Sequence, residues 1–126
     1  MIVLDTDVLI EIFDRGSMKG EEALERLVRC GEDICITVIN LHEVLYGLSK
    51  YAKPVREVLR LPVLSYRKED AILASELELK LERRGMPIRR TDAMIAAITI
   101  NNNAKLYTFD VRHFKPLEEY GLKLFG

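Results

Sequence analysis

The first thirteen residues, MIVLDTDVLIEIF, pass from an apolar run into a helix-spaced pattern with no turn residues between them. Ile2 to Leu4 fits a short buried strand, and Val8, Leu9, Ile12 and Phe13 recur at helical spacing across Thr6 to Phe13. A strand that feeds straight into a helix is half of a parallel crossover unit, and the alternation persists along the chain. EEALERLVRC predicts a second helix closed by Gly31, and DICITVI a second strand. From Asn40 onward Leu41, Val44, Leu45 and Leu48 form one apolar stripe, and Pro54 to Leu59 gives a short helix that Pro62 ends.

The second half repeats the pattern. VLSY is a third strand, Lys68 to Arg84 a long helix with Leu73, Leu77 and Leu81 on one face, and Gly85 with Pro87 stops it. Thr91 and Asp92 sit at the start of a helix whose AMIAAITI core is apolar on most sides and so packs inside. KLYTF is a fourth strand, Val111 to Glu119 a short helix and LKLF a fifth strand. The expected fold is α/β: a three-layer α/β/α sandwich with a mainly parallel sheet of about five strands, built as a single domain over residues 1–126.

Composition narrows the function classes. Lys and Arg total 19 against 20 for Asp and Glu, so nucleic acid is not wrapped by a uniformly basic surface. No run of about 18 apolar residues and no signal-peptide pattern occurs, which predicts a cytoplasmic protein without membrane contact. Cys30 and Cys35 lack a CxxC motif or neighbouring His pair and are expected as buried free thiols rather than a disulfide or zinc site.

Parallel sheets bind ligands in the crevice beyond the C-terminal ends of their strands. Asp5 and Asp110 fall at such ends, and Asp92 falls at a helix start that faces the same side in a sandwich. Glu43 points well off its helix's apolar stripe, with Gly47 one turn later leaving room above it. Singly, each Asp is explained as a helix cap or first-turn acid, and Glu43 as a solvated residue. Together the four acids would repel one another unless a cation lay between them, and an all-oxygen site selects Mg²⁺ or Mn²⁺ over zinc.

VLDTDVLI, TVINLHEVLYGL, RRTDAMIAAI and LYTFDVRHF stand in an order and spacing that resemble the PIN-domain ribonucleases, specifically VapC-type toxins of toxin–antitoxin pairs. The resemblance implies a metal-dependent endoribonuclease in which Asp5, Glu43, Asp92 and Asp110 hold one or two Mg²⁺ or Mn²⁺ ions and a metal-activated water hydrolyses RNA. Products with 5′-phosphate and 3′-hydroxyl ends, a homodimer and a VapB-type antitoxin that covers the site are further implications. Thr6 and Thr108 match polar positions that shape the pocket. Asp7 departs from the family's pattern, which has a neutral residue there, and its charge either adds a metal contact, tightens metal binding or repels a phosphate.

Arg89, Arg90 and Arg112 flank the acids and are candidates for holding RNA phosphates, whereas Arg83 and Arg84 read equally well as a solvated face. His42 and His113 adjoin the motifs but read as structural hydrogen-bonders. Tyr46, Tyr51, Tyr66 and Phe114 read as core or interface packing rather than base-stacking residues. Three alternatives stand beside the ribonuclease toxin. A haloacid dehalogenase-like phosphatase would use Asp5 as nucleophile and Asp7 as general acid, but gives Glu43 no role. A degenerate PIN-like binding module and a housekeeping PIN nuclease in RNA maturation are the others.

Overall fold

The computed structural model describes residues 1–126. Strand β1 (Ile2–Leu4) meets helix α1 (Thr6–Leu9) with only Asp5 between them, and α1 runs on as a π-helical stretch, Ile10–Arg15. There follow α2 (Met18–Cys30), β2 (Ile34–Thr37), α3 (Val38–Lys50), α4 (Arg56–Leu59), β3 (Val63–Leu64) and α5 (Lys68–Arg83). Helix α6 (Arg90–Asn101), β4 (Lys105–Tyr107), α7 (Val111–Phe114), a 3-10 stretch (Lys115–Tyr120) and β5 (Lys123–Leu124) complete the chain.

The five strands form one sheet in the order β3-β2-β1-β4-β5, and every pairing is parallel. Ile2 stands opposite Ile34 on one side and Lys105 on the other. Strand alternation divides the core into two layers. Val3, Cys35 and Leu106 face α5, α6 and α7 through Leu77, Leu81, Ala93, Ala97 and Phe114. Ile2, Leu4, Ile36 and Tyr107 face α1, α2 and α3 through Val8, Leu27, Val44 and Leu48. The expected three-layer sandwich is therefore present. No helix is long and apolar enough to cross a membrane.

Several boundaries differ from the sequence expectation. The second strand stops at Thr37, and Val38 and Ile39 belong to α3, because the extended Thr37 caps that helix in a reciprocal box with Asn40. The first helix changes to π-helical winding after Leu9, which apolar spacing alone does not distinguish from α. The last helix changes to 3-10 winding at Lys115, with Pro116 at its start. Pro54 precedes α4 rather than opening it, and the third and fifth strands shrink to two residues each. Cys35 is buried as expected, but Cys30 is exposed, on the outer face of α2. Tyr46 and Tyr51 are 65% and 67% exposed and so lie outside the core, while Phe114 lies in it.

Helix α2 rests directly on the π-helical stretch. A Cβ on Gly20 would stand 2.2 Å from the carbonyl oxygen of Glu11, a backbone atom that side-chain rotation cannot move. Gly20→Ala should therefore cost about 2 kcal/mol, as overpacking of a fixed contact does. The check is the urea unfolding midpoint; an unchanged midpoint would mean that α2 slides freely over its neighbour.

Candidate active site

The strand order places β1 beside β4, and the chain leaves these neighbours in opposite directions, β1 toward β2 and β4 toward β5. Such a switch point opens a crevice beyond the strand ends. Asp5, immediately after β1, and Thr108 to Asp110, immediately after β4, occupy it.

Asp5 is 7% exposed and held by three donors. Its Oδ1 accepts from Thr6 N at 2.9 Å and Asn40 Nδ2 at 3.3 Å, and its Oδ2 from the Thr108 hydroxyl at 2.8 Å. It is thus both the N-cap of α1 and the centre of the crevice. Burial foremost, then the charge of Asp7, push its pKa up to about 7, with Asp92 adding to the rise and the Thr108 and Thr6 hydrogen bonds opposing it.

Asp7 crosses to β4. Its Oδ2 accepts from Phe109 N at 3.1 Å and lies 3.4 Å from the Thr108 hydroxyl, while its Oδ1 is buried without a partner. Burial raises its pKa, with a smaller push from Asp110, against hydrogen bonds from Phe109, Val8 and Thr108. The Thr108 hydroxyl also accepts from Asp110 N at 3.0 Å, so one side chain ties Asp5 to the backbone that carries Asp110. Asp110 itself is exposed at the start of α7 and makes no side-chain cap.

Glu43, half-buried on α3, accepts from the Thr6 hydroxyl at 2.7 Å, and Thr6 Oγ1 in turn accepts from Asn40 Nδ2 at 3.1 Å. Gly47 leaves open space on that side of the helix, as the sequence suggests. Asp92, 3% exposed in the first turn of α6, is gripped by Arg89: Nε to Oδ2 at 3.0 Å and Nη2 to Oδ1 at 3.3 Å. His113 Nε2 stands 3.5 Å from the same Oδ2 and, though buried, makes no hydrogen bond.

The crevice thus collects Asp5, Thr6, Asp7, Glu43 and Thr108 in one hydrogen-bonded network, with Asp110 joined through its backbone. Asp92 is coupled to Asp5 by charge. No three of the acids stand tip to tip in a ready-made cation cage. The donor chemistry nonetheless suits a hard divalent ion: the ligating atoms on offer are oxygens, one Asp7 oxygen is orphaned, and Asp5 resists ionising without added positive charge.

The basic residues divide. Arg89 faces the acids; Arg90 is paired with Glu78 of α5 through two contacts, at 3.1 and 3.2 Å; Arg112 is exposed and makes no ion pair. His42 is exposed, beside an apolar groove lined by Val38, Ile39, Leu41 and Leu45.

Asn40 is the site residue that motif reading misses. It is fully buried, and its Oδ1 accepts from Thr37 N at 3.1 Å and the Thr37 hydroxyl at 2.7 Å while its Nδ2 serves Asp5 and Thr6. A signal is present in the sequence: Asn40 lies four and eight residues before Val44 and Leu48, on the buried stripe where a polar side chain must find partners.

Fold and crevice together define a parallel-sheet domain with an acidic pocket at its switch point, and the model of the PIN domain matches residues 2–119. Ribonuclease VapC1 of Methanocaldococcus jannaschii is 32% identical, over 98% of this chain and 86% of that protein. The tRNA(fMet)-specific endonuclease VapC of Salmonella typhimurium is 30% identical, over 90% of this chain and 89% of its own length. VapBC2 from Rickettsia felis, solved bound to a DNA fragment from their promoter, superposes with a TM-score of 0.81 at 28% identity, over 99% of this chain and 98% of that one. The chain belongs to the PIN-domain family and, within it, to the VapC type. The phosphatase alternative loses its ground, since the family that matches over residues 2–119 is that of the PIN domain and the relatives are VapC ribonucleases.

Proposed function

We propose that this chain is the toxin of a toxin–antitoxin pair, an endoribonuclease that hydrolyses RNA phosphodiester bonds in the cytoplasm with Mg²⁺ or Mn²⁺. The observation that carries this reading is Asp5: a buried carboxylate at the strand end, held only by neutral donors and joined through Thr108 to Asp7, with its pKa pushed up to about 7 by burial and then by the charge of Asp7. Its VapC relatives are ribonucleases by name, and Glu43, Asp92 and Asp110 supply the remaining acids of this chain.

In this reading Asp5, Asp92 and Asp110 hold the ion, with Glu43 as ligand or as the base that orients water. A bound cation supplies a water of lowered pKa and neutralises charge on the scissile phosphate. Thr6 occupies Glu43 Oε1, which leaves Oε2 to accept a proton from the attacking water. Thr108 fixes Asp5 against the Asp110 backbone, and Asp7 fastens the Phe109 amide. Arg112, exposed and free of any acid, takes an RNA phosphate in this reading, as a contact that positions without reading sequence. Arg90, spent on Glu78, is a weaker candidate for that role. The VapBC relative argues for a VapB-type antitoxin as protein partner; a homodimeric toxin is part of the proposal and rests on the family resemblance alone.

The test is incubation of purified protein with end-labelled single-stranded and structured RNAs, in Mg²⁺, Mn²⁺ or EDTA, beside Asp92→Asn. Cutting that needs the metal and vanishes in the variant is the expected result. Cutting that survives EDTA, or none on any RNA, would overturn the proposal.

A further inference from the structure

Asp5, Asp7 and Glu43 are supported by neutral groups: hydroxyls, the Asn40 amide and backbone N–H. Asp92 alone has a full positive charge on it. Arg89 is the extended residue that caps α6, so its side chain folds back over the first turn and meets Asp92, three residues on, with a two-pronged grip on both carboxylate oxygens. The grip is lopsided: the Asp92 side chain is 5% exposed and the Arg89 side chain 71%. The acid is fixed in the wall of the crevice while the guanidinium covers it from the solvent side.

We propose that Arg89 is an internal competitor for the divalent cation, neutralising Asp92 in the metal-free pocket and lowering the affinity of that pocket for metal. This rests on the assignment of Asp92 as a metal ligand. An ion approaching either oxygen of Asp92 meets a positive charge already about 3 Å from it, so binding must displace or repel the guanidinium. Displacement is feasible because the Arg89 side chain is largely exposed and free to swing into water, where its charge is well solvated. The charges of Glu43 and Asp5 also act on Arg89, after the larger effect of Asp92, so the guanidinium lies within the field of all three acids. Once released, the guanidinium stands at the pocket mouth with the planar fork that suits a phosphate.

The inference predicts two effects of opposite sign in Arg89→Gln. Without metal, Asp92 loses its counter-charge and the protein melts at lower temperature; with metal, the competitor is gone and the ion binds more tightly. The experiment is calorimetric titration of Mn²⁺ into the purified full chain in the absence of RNA, with melting temperatures in EDTA, for the parent, Arg89→Gln, Arg89→Lys and Asp92→Asn. Arg89→Gln should bind Mn²⁺ about five-fold more tightly, the upper end for an ion pair whose cation is largely in water. Arg89→Lys, which keeps the charge but not the fork, should fall between it and the parent, and Asp92→Asn should lose most of the binding. General damage to the fold would weaken Mn²⁺ binding together with the melting temperature, and that result overturns the inference. Unchanged affinity in Arg89→Gln while Asp92→Asn still abolishes binding would overturn the role of Arg89 alone. Absence of Mn²⁺ binding in the parent would instead overturn the metal assignment, and this inference with it.

Discussion

Asp5→Asn should stabilise the metal-free protein at pH 8 by about 2 to 4 kcal/mol while reducing RNA cleavage by more than about a hundred-fold. The stability arises from burial. A carboxyl raised from 3.8 to about 7 is harder to ionise in the folded chain than in the unfolded one, and the whole rise corresponds to about 4 kcal/mol. The sign follows from proton counting: between about pH 4 and 7 the folded state holds the proton that the unfolded state has released, so stability falls as pH rises through that window and levels off above it. Asparagine carries no charge and abolishes the slope, though its amide fits the Thr108 hydroxyl less well, which sets the lower figure. The loss of cleavage follows if Asp5 is a metal ligand, since disturbing a group that only orients a ligand already costs about 10–100-fold. Urea unfolding in EDTA at pH 5 and pH 8 checks the first half, and end-labelled RNA the second. A variant less stable than the parent at pH 8 would mean that hydrogen bonds, not charge, dominate at this position.

This opposition between stability and chemistry explains which parts of the site are legible in sequence. Strand ends are legible because alternation of apolar runs with helix-spaced stripes fixes where each strand stops to within a residue or two, and Asp5 and Asp110 lie at those stops. Glu43 is legible because an acid off the stripe of an otherwise packed helix must face something other than core. The exceptions depend on partners distant in the chain. Asn40 reaches Asp5 across 35 positions, and Asp7 reaches Phe109 across 102, so neither bond has a local signature. Asp7, whose charge departs from the pattern the resemblance implies, clasps the Phe109 amide with one oxygen, a bond that any acceptor would make; its second, orphaned oxygen is the part that the clasp leaves unexplained. His113 reads as a structural hydrogen-bonder because a lone histidine usually is one, yet the fold brings its Nε2 to 3.5 Å from Asp92 without a hydrogen bond. Arg90 and Arg89 are indistinguishable as sequence, and only the packing of α6 on α5 sends Arg90 to Glu78, whereas Arg89, at the N-cap, reaches Asp92 within its own helix.

Asn40→Asp, a change of one atom in shape, should destabilise the metal-free protein by about 3–5 kcal/mol at pH 8, the range for breaking a buried charged contact. The Oδ1 side of residue 40 survives, since Thr37 N and the Thr37 hydroxyl donate to a carboxylate as readily as to an amide. The other side fails. Where Nδ2 gave protons to Asp5 Oδ1 and Thr6 Oγ1, a second anionic oxygen would face an acid already short of positive charge, in a position with no access to water. Thr6 would turn its one hydroxyl proton toward either the introduced carboxylate or Glu43 but not both, so Glu43 would also lose its fixed orientation. Because the damage is electrostatic, it should shrink when the acids are protonated: urea unfolding in EDTA should show the deficit at pH 8 falling by more than half at pH 5. Added Mn²⁺ should recover part of it at pH 8 if the ion occupies the crevice, because the same positive charge that steadies Asp5 would also steady a new acid beside it. A deficit equal at both pH values would instead locate the loss in packing around the α3 cap and leave Asn40 a helix-start residue that happens to touch Asp5.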